Sequence, residues 1–151
     1  MKNRNCILFC FILLASITIG CSDLPSSEPE KEIDMKDHEA IRQTALDYIE
    51  GWYFADASRM DRALSPHLSK RQFNSNGEIR DVSKTTLIEI TGKGRGQLDN
   101  PDKGRKDITI LDQTDTMASV KIVSEEFIDY LHLVKTQGNW TIVNVLWDFS
   151  S

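Results

Sequence analysis

The chain is poor in cysteine: it has three, and all of them lie at or before position 21. Cys6 and Cys10 fall in an apolar run near the N-terminus that resembles the core of a cleaved export signal. A mature chain beginning at Cys21 could form no internal disulfide and would offer no set of thiolates to a metal. The sequence therefore excludes a disulfide framework and a cysteine-rich metal site.

Positive charge is also scarce. The full chain has a net charge of −5, and removal of residues 1–20 takes away Lys2 and Arg4, which leaves 16 basic and 23 acidic residues, or −7. A net anion has little attraction for the phosphates of nucleic acids or bilayers. We therefore expect no nucleic acid among the partners, and contact with a membrane only through a lipid anchor.

The spacing of a metal site is missing as well. His38, His67 and His132 show neither the i, i+4 nor the i, i+2 separation typical of zinc ligands. We expect no metal and no cofactor. His67, which follows Pro66, is instead a candidate for the mouth of a ligand pocket.

Two further patterns are incomplete. Gly92, Gly94 and Gly96 alternate with Lys93 and Arg95, and such a loop could cradle an anion. It lacks the spacing of a nucleotide-binding phosphate loop, so a mobile solvated loop is the simpler interpretation. No Ser/His/Asp triad can be argued from the sequence.

The first twenty residues have the pattern of an export signal. Lys2 and Arg4 precede the apolar run 6–15, which is too short for an ordinary membrane-spanning helix. The run ends at I-T-I-G-C, which resembles a bacterial lipobox, where a lipid is added to the cysteine and the chain is cut before it. We predict a signal peptide at 1–20 and lipidation of Cys21. The alternatives are an ordinary secretory signal and an uncleaved anchor helix.

The residues after Cys21 are polar, acidic and rich in Ser and Pro, which predicts a disordered tether over 21–33. Such a protein would be exported to the bacterial cell envelope and anchored to a membrane by lipid, on the periplasmic or the cell-surface side. Residues 34–151 suffice for one folded domain with one core.

Apolar residues at helical spacing predict three helices in the first part of this domain. They span residues 37–56, 59–64 and 84–90. Asp34 or Asp37 could cap the first helix and Ser83 the third, while Pro66 would end the second. Asn74-Ser75-Asn76-Gly77 is a turn signal between short extended stretches.

The C-terminal third changes from helical to alternating period. Its four predicted strands span residues 107–111, 117–124, 126–135 and 140–149. Short connections favour antiparallel neighbours. We therefore predict an α+β fold with three N-terminal helices packed on a curved antiparallel sheet.

Both faces of the last two strands are partly apolar. Strict alternation places Val143, Val145 and Trp147 on one face of the last strand, and Trp140, Ile142 and Leu146 on the other. In so small a domain one face would remain an exposed apolar patch. We predict a homodimer through the sheet; the alternative is that side chains and the segment 67–83 cover this face.

Residues 129–144 read D-Y-L-H-L-V-K-T-Q-G-N-W-T-I-V-N. They resemble the D-Y-L-x-L-x-K-x-x-G-x-W-x-I-V-N hairpin of the putative lumazine-binding family, which belongs to the nuclear transport factor 2-like superfamily alongside SnoaL-like domains. The segment 48–51 and Asp56 also resemble that superfamily's opening helix. The resemblance covers about residues 37–149 and implies a cone-shaped domain with a pocket between the helices and the concave face of the sheet.

The superfamily uses this pocket for isomerisation, dehydration, cyclisation, ligand storage or dimerisation alone, so the fold does not decide the function. One enzymatic hypothesis is proton transfer of the ketosteroid-isomerase kind, which needs a donor and a carboxylate base. Tyr48 matches the donor tyrosine, and Asp129 could face the pocket. The base is expected after the second helix, but the segment 70–73 contains no carboxylate. Tyr48 is then more simply a core tyrosine with one polar partner.

Aromatic side chains could line a pocket for a flat ligand. The candidate ligand-binding residues are Trp52, His67, Phe73, Phe127 and Trp147. The preferred hypothesis is a membrane-tethered, non-catalytic domain that binds a small apolar or heterocyclic ligand or a protein partner. The alternatives are a SnoaL-like or ketosteroid-isomerase-like enzyme acting through Tyr48 and Asp129, and a dimeric scaffold with a filled interior.

Overall fold

The computed structural model describes residues 35–150, in which three helices pack on a six-stranded sheet. The helices are α1 (Met35–Phe54), α2 (Ala57–Ala63) and α3 (Lys84–Gly92), with a short 3-10 turn at Pro101–Lys103. The strands are β1 (Leu64–Phe73), β2 (Ile79–Val82), β3 (Lys106–Gln113), β4 (Met117–Ser124), β5 (Phe127–Thr136) and β6 (Asn139–Phe149). The predicted signal peptide, Cys21, the tether and Asp34 lie outside the described residues.

The three predicted helices are confirmed, and each of their ends lies within two residues of the predicted position. Ile41, Ala45, Tyr48 and Ile49 form the buried stripe of α1 at the predicted spacing. Ser83 caps α3, since its side chain accepts a hydrogen bond from the backbone N–H of Thr86.

The end of α2 differs from the prediction. The helix ends at Ala63, because Leu64 is already extended, with φ −102° and ψ 132°. Pro66 therefore lies inside β1 and does not terminate a helix. Pro66 disfavours helical dihedrals at the preceding residue, Ser65, and so favours the early start of the strand.

The sheet has the strand order β2-β1-β6-β5-β4-β3. The four C-terminal strands pair antiparallel, as predicted. The sheet as a whole is mixed, however, because β1 pairs with β6 in parallel. The helices are also not all N-terminal, since the β1–β2 hairpin precedes α3. The β1–β2 hairpin pairs with the edge of β6 that β5 leaves free. Because β1 and β6 are far apart in the sequence, no local pattern predicts their pairing.

A β-bulge in β6 overturns the predicted faces of that strand. Ile142 pairs with Leu133, and Asn144 pairs with His132, so Val143 is an extra residue without a partner. The alternation reverses at this point. Trp140 and Ile142 are consequently buried on the same side of the sheet as Val145 and Trp147, against the helices.

Among the described residues, no helix packs on the opposite face of the sheet, and its side chains are in part exposed to solvent. Tyr130 and Leu146, which are cross-strand neighbours, are both about half exposed there. The homodimer through this face stays a prediction.

Among residues 35–150, no helix combines the length and the apolar character that crossing a bilayer requires.

Asp37 connects the start of α1 to the sheet and does not cap the helix. Its carboxylate accepts a hydrogen bond from Lys135 Nζ at 2.7 Å and one from Trp140 Nε1 at 3.0 Å. These two hydrogen bonds, of which the one from Lys135 has the larger effect, lower the pKa of Asp37 below its ordinary value of 3.8. Its contribution to stability is therefore present above pH 3.8 and is lost as the pH falls through the lower pKa of the folded state.

We expect the variant Asp37→Asn to lose less of its stability on acidification than the wild-type chain does, since asparagine has no carboxylate to protonate. Urea unfolding at neutral pH and at about pH 3 measures this difference. Glu39→Gln, an exposed substitution on the same helix, is the control and should keep the wild-type pH dependence. An Asp37→Asn chain that loses stability in parallel with the wild type would contradict the prediction.

Candidate functional site

A cavity of about 240 Å³ lies between α1, α3 and the sheet. Its aromatic wall consists of Trp52, Phe127, Trp147 and Phe149. The ring of Phe127 meets Trp52 and Trp147 edge to face, with centroids 6.4 and 5.1 Å apart, and is tilted against Phe149 at 5.6 Å. These spacings are typical of packed aromatic pairs. The volume lies just below the roughly 300 Å³ at which pockets for drug-sized ligands begin, so it suits one or two fused rings.

A buried polar cluster of Tyr48, Lys70 and Asp129 lies on the cavity beside this wall. The Tyr48 hydroxyl donates to Asp129 Oδ1 at 3.1 Å. Lys70 Nζ donates to the same oxygen at 2.7 Å and to the Tyr48 hydroxyl at 2.8 Å. Lys70 is only 7% exposed and Asp129 1%. The three groups thus satisfy one another where water has little access.

Three elements bring the cluster together. Tyr48 belongs to the buried stripe of α1, and Asp129 lies on the helix-facing side of β5 opposite Trp147. Lys70 lies on β1, where the parallel pairing sets it beside Val145 of β6. Its Nζ is 4.8 Å from the centroid of the Trp147 ring, within range of a cation–π contact.

The electrostatics of the cluster follow from burial. Burial lowers the pKa of Lys70 and the charge of Asp129 opposes that shift. Burial and the nearby Asp129 together raise the pKa of Tyr48 well above 10, so its hydroxyl remains protonated at neutral pH. Tyr48 is therefore a neutral donor, and Asp129 Oδ1 is the acceptor on which both donors converge.

The structure brings together five of the residues singled out from the sequence. Tyr48 and Asp129 are hydrogen-bonded, and Trp52, Phe127 and Trp147 line the same cavity. Phe73 and His67 do not line it. Phe73 is 56% exposed at the end of β1, three residues from the inward-facing Lys70 and hence on the other side of the strand. His67 is exposed near the start of the same strand.

Sequence reasoning missed Lys70, which it noted only as part of a segment without a carboxylate. Lysine in a strand is usually exposed, so nothing in the local pattern distinguished this one. Sequence reasoning also missed Arg80 and Phe149, which reach the cavity from β2 and from the end of β6. It noted Arg95 only as part of a glycine loop that could cradle an anion, not as a residue of the cavity.

The glycine loop after α3 is packed at one point and not simply solvated. Gly96 is buried against α1, and a Cβ atom built there would lie 1.8 Å from Nε1 of Trp52. Gly94 has φ +74°, a left-handed conformation that glycine adopts without strain. The loop thus covers the indole of Trp52 and brings Arg95 to the cavity.

Comparison with known proteins identifies relatives of the fold. A family model described as "Putative lumazine-binding" matches residues 36–148. A search of curated proteins gives no match.

Similar solved structures include nuclear transport factor 2-like proteins of unknown function from three bacteria. The protein from Methylobacillus flagellatus is 18% identical, covers 80% of this chain and 97% of its own, and has a TM-score of 0.67. The one from Shewanella baltica is 19% identical, with 79% and 98% covered and a TM-score of 0.63. The one from Silicibacter pomeroyi is 15% identical, with 78% and 100% covered and a TM-score of 0.63. At these identities the likeness shows the fold alone.

Proposed function

Because the chain belongs to the putative lumazine-binding family, we propose that its cavity binds a small planar heterocycle. The observation that carries this proposal is the aromatic wall beside a buried polar cluster on one cavity of about 240 Å³. An apolar cavity with a few fixed polar groups is the usual form of a small-molecule site. The rings of Trp52, Phe127 and Trp147 would supply contact area, and the polar cluster would set the orientation of the ligand.

Two of the residues that line the cavity, Asp129 and Trp147, each have a polar atom without a hydrogen-bond partner among residues 35–150. Both hydrogen bonds to Asp129 end on Oδ1, and no donor among residues 35–150 binds Oδ2. The Nε1 of Trp147 is buried and has no acceptor within the same range of residues. Asp129 and Trp147 are directly opposed in the β5–β6 pair, which sets their side chains next to each other. A ring amide, with an N–H beside a C=O, could satisfy both atoms, and leaving the buried Nε1 of Trp147 unpaired costs about 1–3 kcal/mol.

The same cluster favours binding over proton transfer. The Tyr48 hydroxyl already donates to Asp129 and accepts from Lys70, so its proton is not directed at a substrate carbonyl. The position at which a base is expected after α2 is occupied by Lys70, a cation paired with Asp129. We therefore propose a non-catalytic site. The volume of the cavity also supports a binding role over a scaffold with a filled interior.

We further propose that the domain performs this binding outside the cytoplasm, attached to a membrane through lipid on Cys21. The support is the sequence of residues 1–21, with its basic start, apolar run and lipobox-like end. The polar segment that follows would let the cavity sample the space around its anchor.

The proposal is tested by adding lumazine to the full chain, purified in detergent, and following tryptophan emission. Trp52 and Trp147 line the cavity, so we expect saturable quenching. Phe127→Leu removes a ring from the wall but keeps both reporters, and it should weaken binding roughly tenfold, since a lost aromatic contact costs about 1–1.5 kcal/mol.

The control for this measurement is Phe73→Leu, the same substitution at an exposed site away from the cavity, which should leave the affinity unchanged. The absence of saturable quenching by lumazine and by related pteridines would overturn the proposed function. An equal loss of affinity in both variants would show that the aromatic wall is not the site.

A further inference from the structure

Two arginines lie at the mouth of the cavity, on different elements. Arg80 is on β2 and Arg95 is in the loop after α3, and both side chains line the cavity while remaining exposed to solvent. The guanidinium carbon of Arg80 lies 5.8 Å from the centroid of the Trp147 ring. The cations therefore lie next to the aromatic wall, where a bound ring would emerge.

Neither arginine has an ion-pair partner among residues 35–150. Four of the other five arginines among residues 35–150 are paired with carboxylates: Arg59 and Arg62 with Asp47, Arg71 with Asp81, and Arg105 with Asp107; the fifth, Arg42, is exposed on α1 and does not line the cavity. In a chain with five excess negative charges, acidic partners are abundant. Two unpaired cations at one opening thus form a local positive region in an acidic protein.

The backbone at Arg95 is held in place. Its N–H donates to the carbonyl of Ile90 at 3.1 Å, Gly94 supplies the turn, and Gly96 packs directly on the indole of Trp52. Arg80 is held by the pairing of β2 with Gln72 of β1 and by its contact with Trp147. The two guanidinium groups are therefore carried by ordered backbone of two different elements that both line the cavity.

The charges around the cavity limit the ligand. Lys70, Arg80 and Arg95 are its cations, while Asp129 and Glu126 are its carboxylates, which leaves an excess of one positive charge. A single carboxylate balances that excess, whereas a phosphate dianion would exceed it. The planar fork of an arginine matches carboxylate and phosphate alike, so the balance of charge is what favours the carboxylate.

We propose that the heterocycle bound in this cavity carries a carboxylate, which Arg80 and Arg95 hold at the mouth while the ring lies against the aromatic wall. This inference rests on the proposed function, because it names the acidic group of the same ligand. By this inference, the two arginines make the site selective for acidic over neutral heterocycles.

The test compares lumazine, lumazine-6-carboxylate and a lumazine phosphate ester as ligands of the full chain, again by quenching of tryptophan emission. We expect the carboxylate to bind roughly tenfold or more tightly than lumazine, because charge-assisted hydrogen bonds to arginine are strong. This advantage should shrink as the salt concentration rises, since the mouth is exposed.

Arg80→Gln and Arg95→Gln should each remove most of the difference in affinity between lumazine-6-carboxylate and lumazine. Arg71→Gln, an exposed arginine of β1 that does not line the cavity, is the matched control and should preserve it. Equal affinities for lumazine and its carboxylate, or tightest binding of the phosphate ester, would overturn this inference and leave the proposed function standing. Failure of all three ligands to bind would overturn both.

Discussion

The variant Lys70→Met should lose about 3–5 kcal/mol of its free energy of unfolding. The substitution keeps much of the side-chain volume but leaves the Asp129 carboxylate, which is 1% exposed, without its cation. A buried charge without a partner is penalised far more than the intact pair is rewarded. Urea unfolding of the wild type and the variant at neutral pH measures the loss.

Two further variants distinguish this explanation from a general effect of removing a lysine. Lys93→Met breaks the exposed pair between Lys93 and Glu89, whose side chains are 70% and 60% exposed, and should cost less than about 1 kcal/mol. The double variant Lys70→Met/Asp129→Leu removes both charges and should recover most of the stability lost in the single variant. A loss as small in Lys70→Met as in Lys93→Met would show that the pair is solvated.

The second large effect is expected at Gly96. A Cβ atom there would lie 1.8 Å from Nε1 and 1.9 Å from Cε2 of Trp52, so Gly96→Ala must displace either the loop or the indole. The backbone of Gly96 is not left-handed, which means that space alone causes the effect. We expect a loss of about 1–3 kcal/mol in the free energy of unfolding, the usual cost of overpacking. Thermal or urea unfolding measures it.

The matched control is Gly92→Ala, at the end of α3, where the added Cβ would meet only the Cβ of Ala57 at 3.4 Å. This variant should be neutral or slightly stabilising, because alanine favours a helix over glycine. In a Trp52→Leu background, Gly96→Ala should cost clearly less than it does in the wild type, since the indole is gone. The same cost in both backgrounds would rule out the indole as the source of the strain.

The elements of this domain were largely predictable, because each buries one face. The stripe of Ile41, Ala45, Tyr48 and Ile49 has the helical period, and the four C-terminal strands alternate with a period of two. Ser83 identified the start of α3, since a capping hydroxyl is a local signal. Pro66 was misleading, because the chain was already extended two residues earlier.

The candidate site was predictable only in part, since it depends on pairing between distant segments. Tyr48 was singled out through a resemblance and Asp129 through the alternation of β5, and the two side chains are hydrogen-bonded on one cavity. Their roles stay a prediction. Lys70 could not be found, because only the parallel pairing of β1 with β6 sets a lysine beside that carboxylate. Likewise, Arg95 reaches the cavity because Gly96 packs on Trp52, a contact that no spacing along the chain encodes.

The single unpaired residue Val143 has a consequence for how this strand can tolerate changes of length. Trp140 and Trp147 are separated by an odd number of positions, so an unbroken strand would point them in opposite directions. With the bulge, one indole secures α1 through Asp37 while the other forms part of the ligand wall. A deletion or insertion of one residue between them would rotate one tryptophan to the solvent side. The number of residues between Trp140 and Trp147 therefore determines both whether β6 can hold α1 and whether it can complete the wall of the cavity.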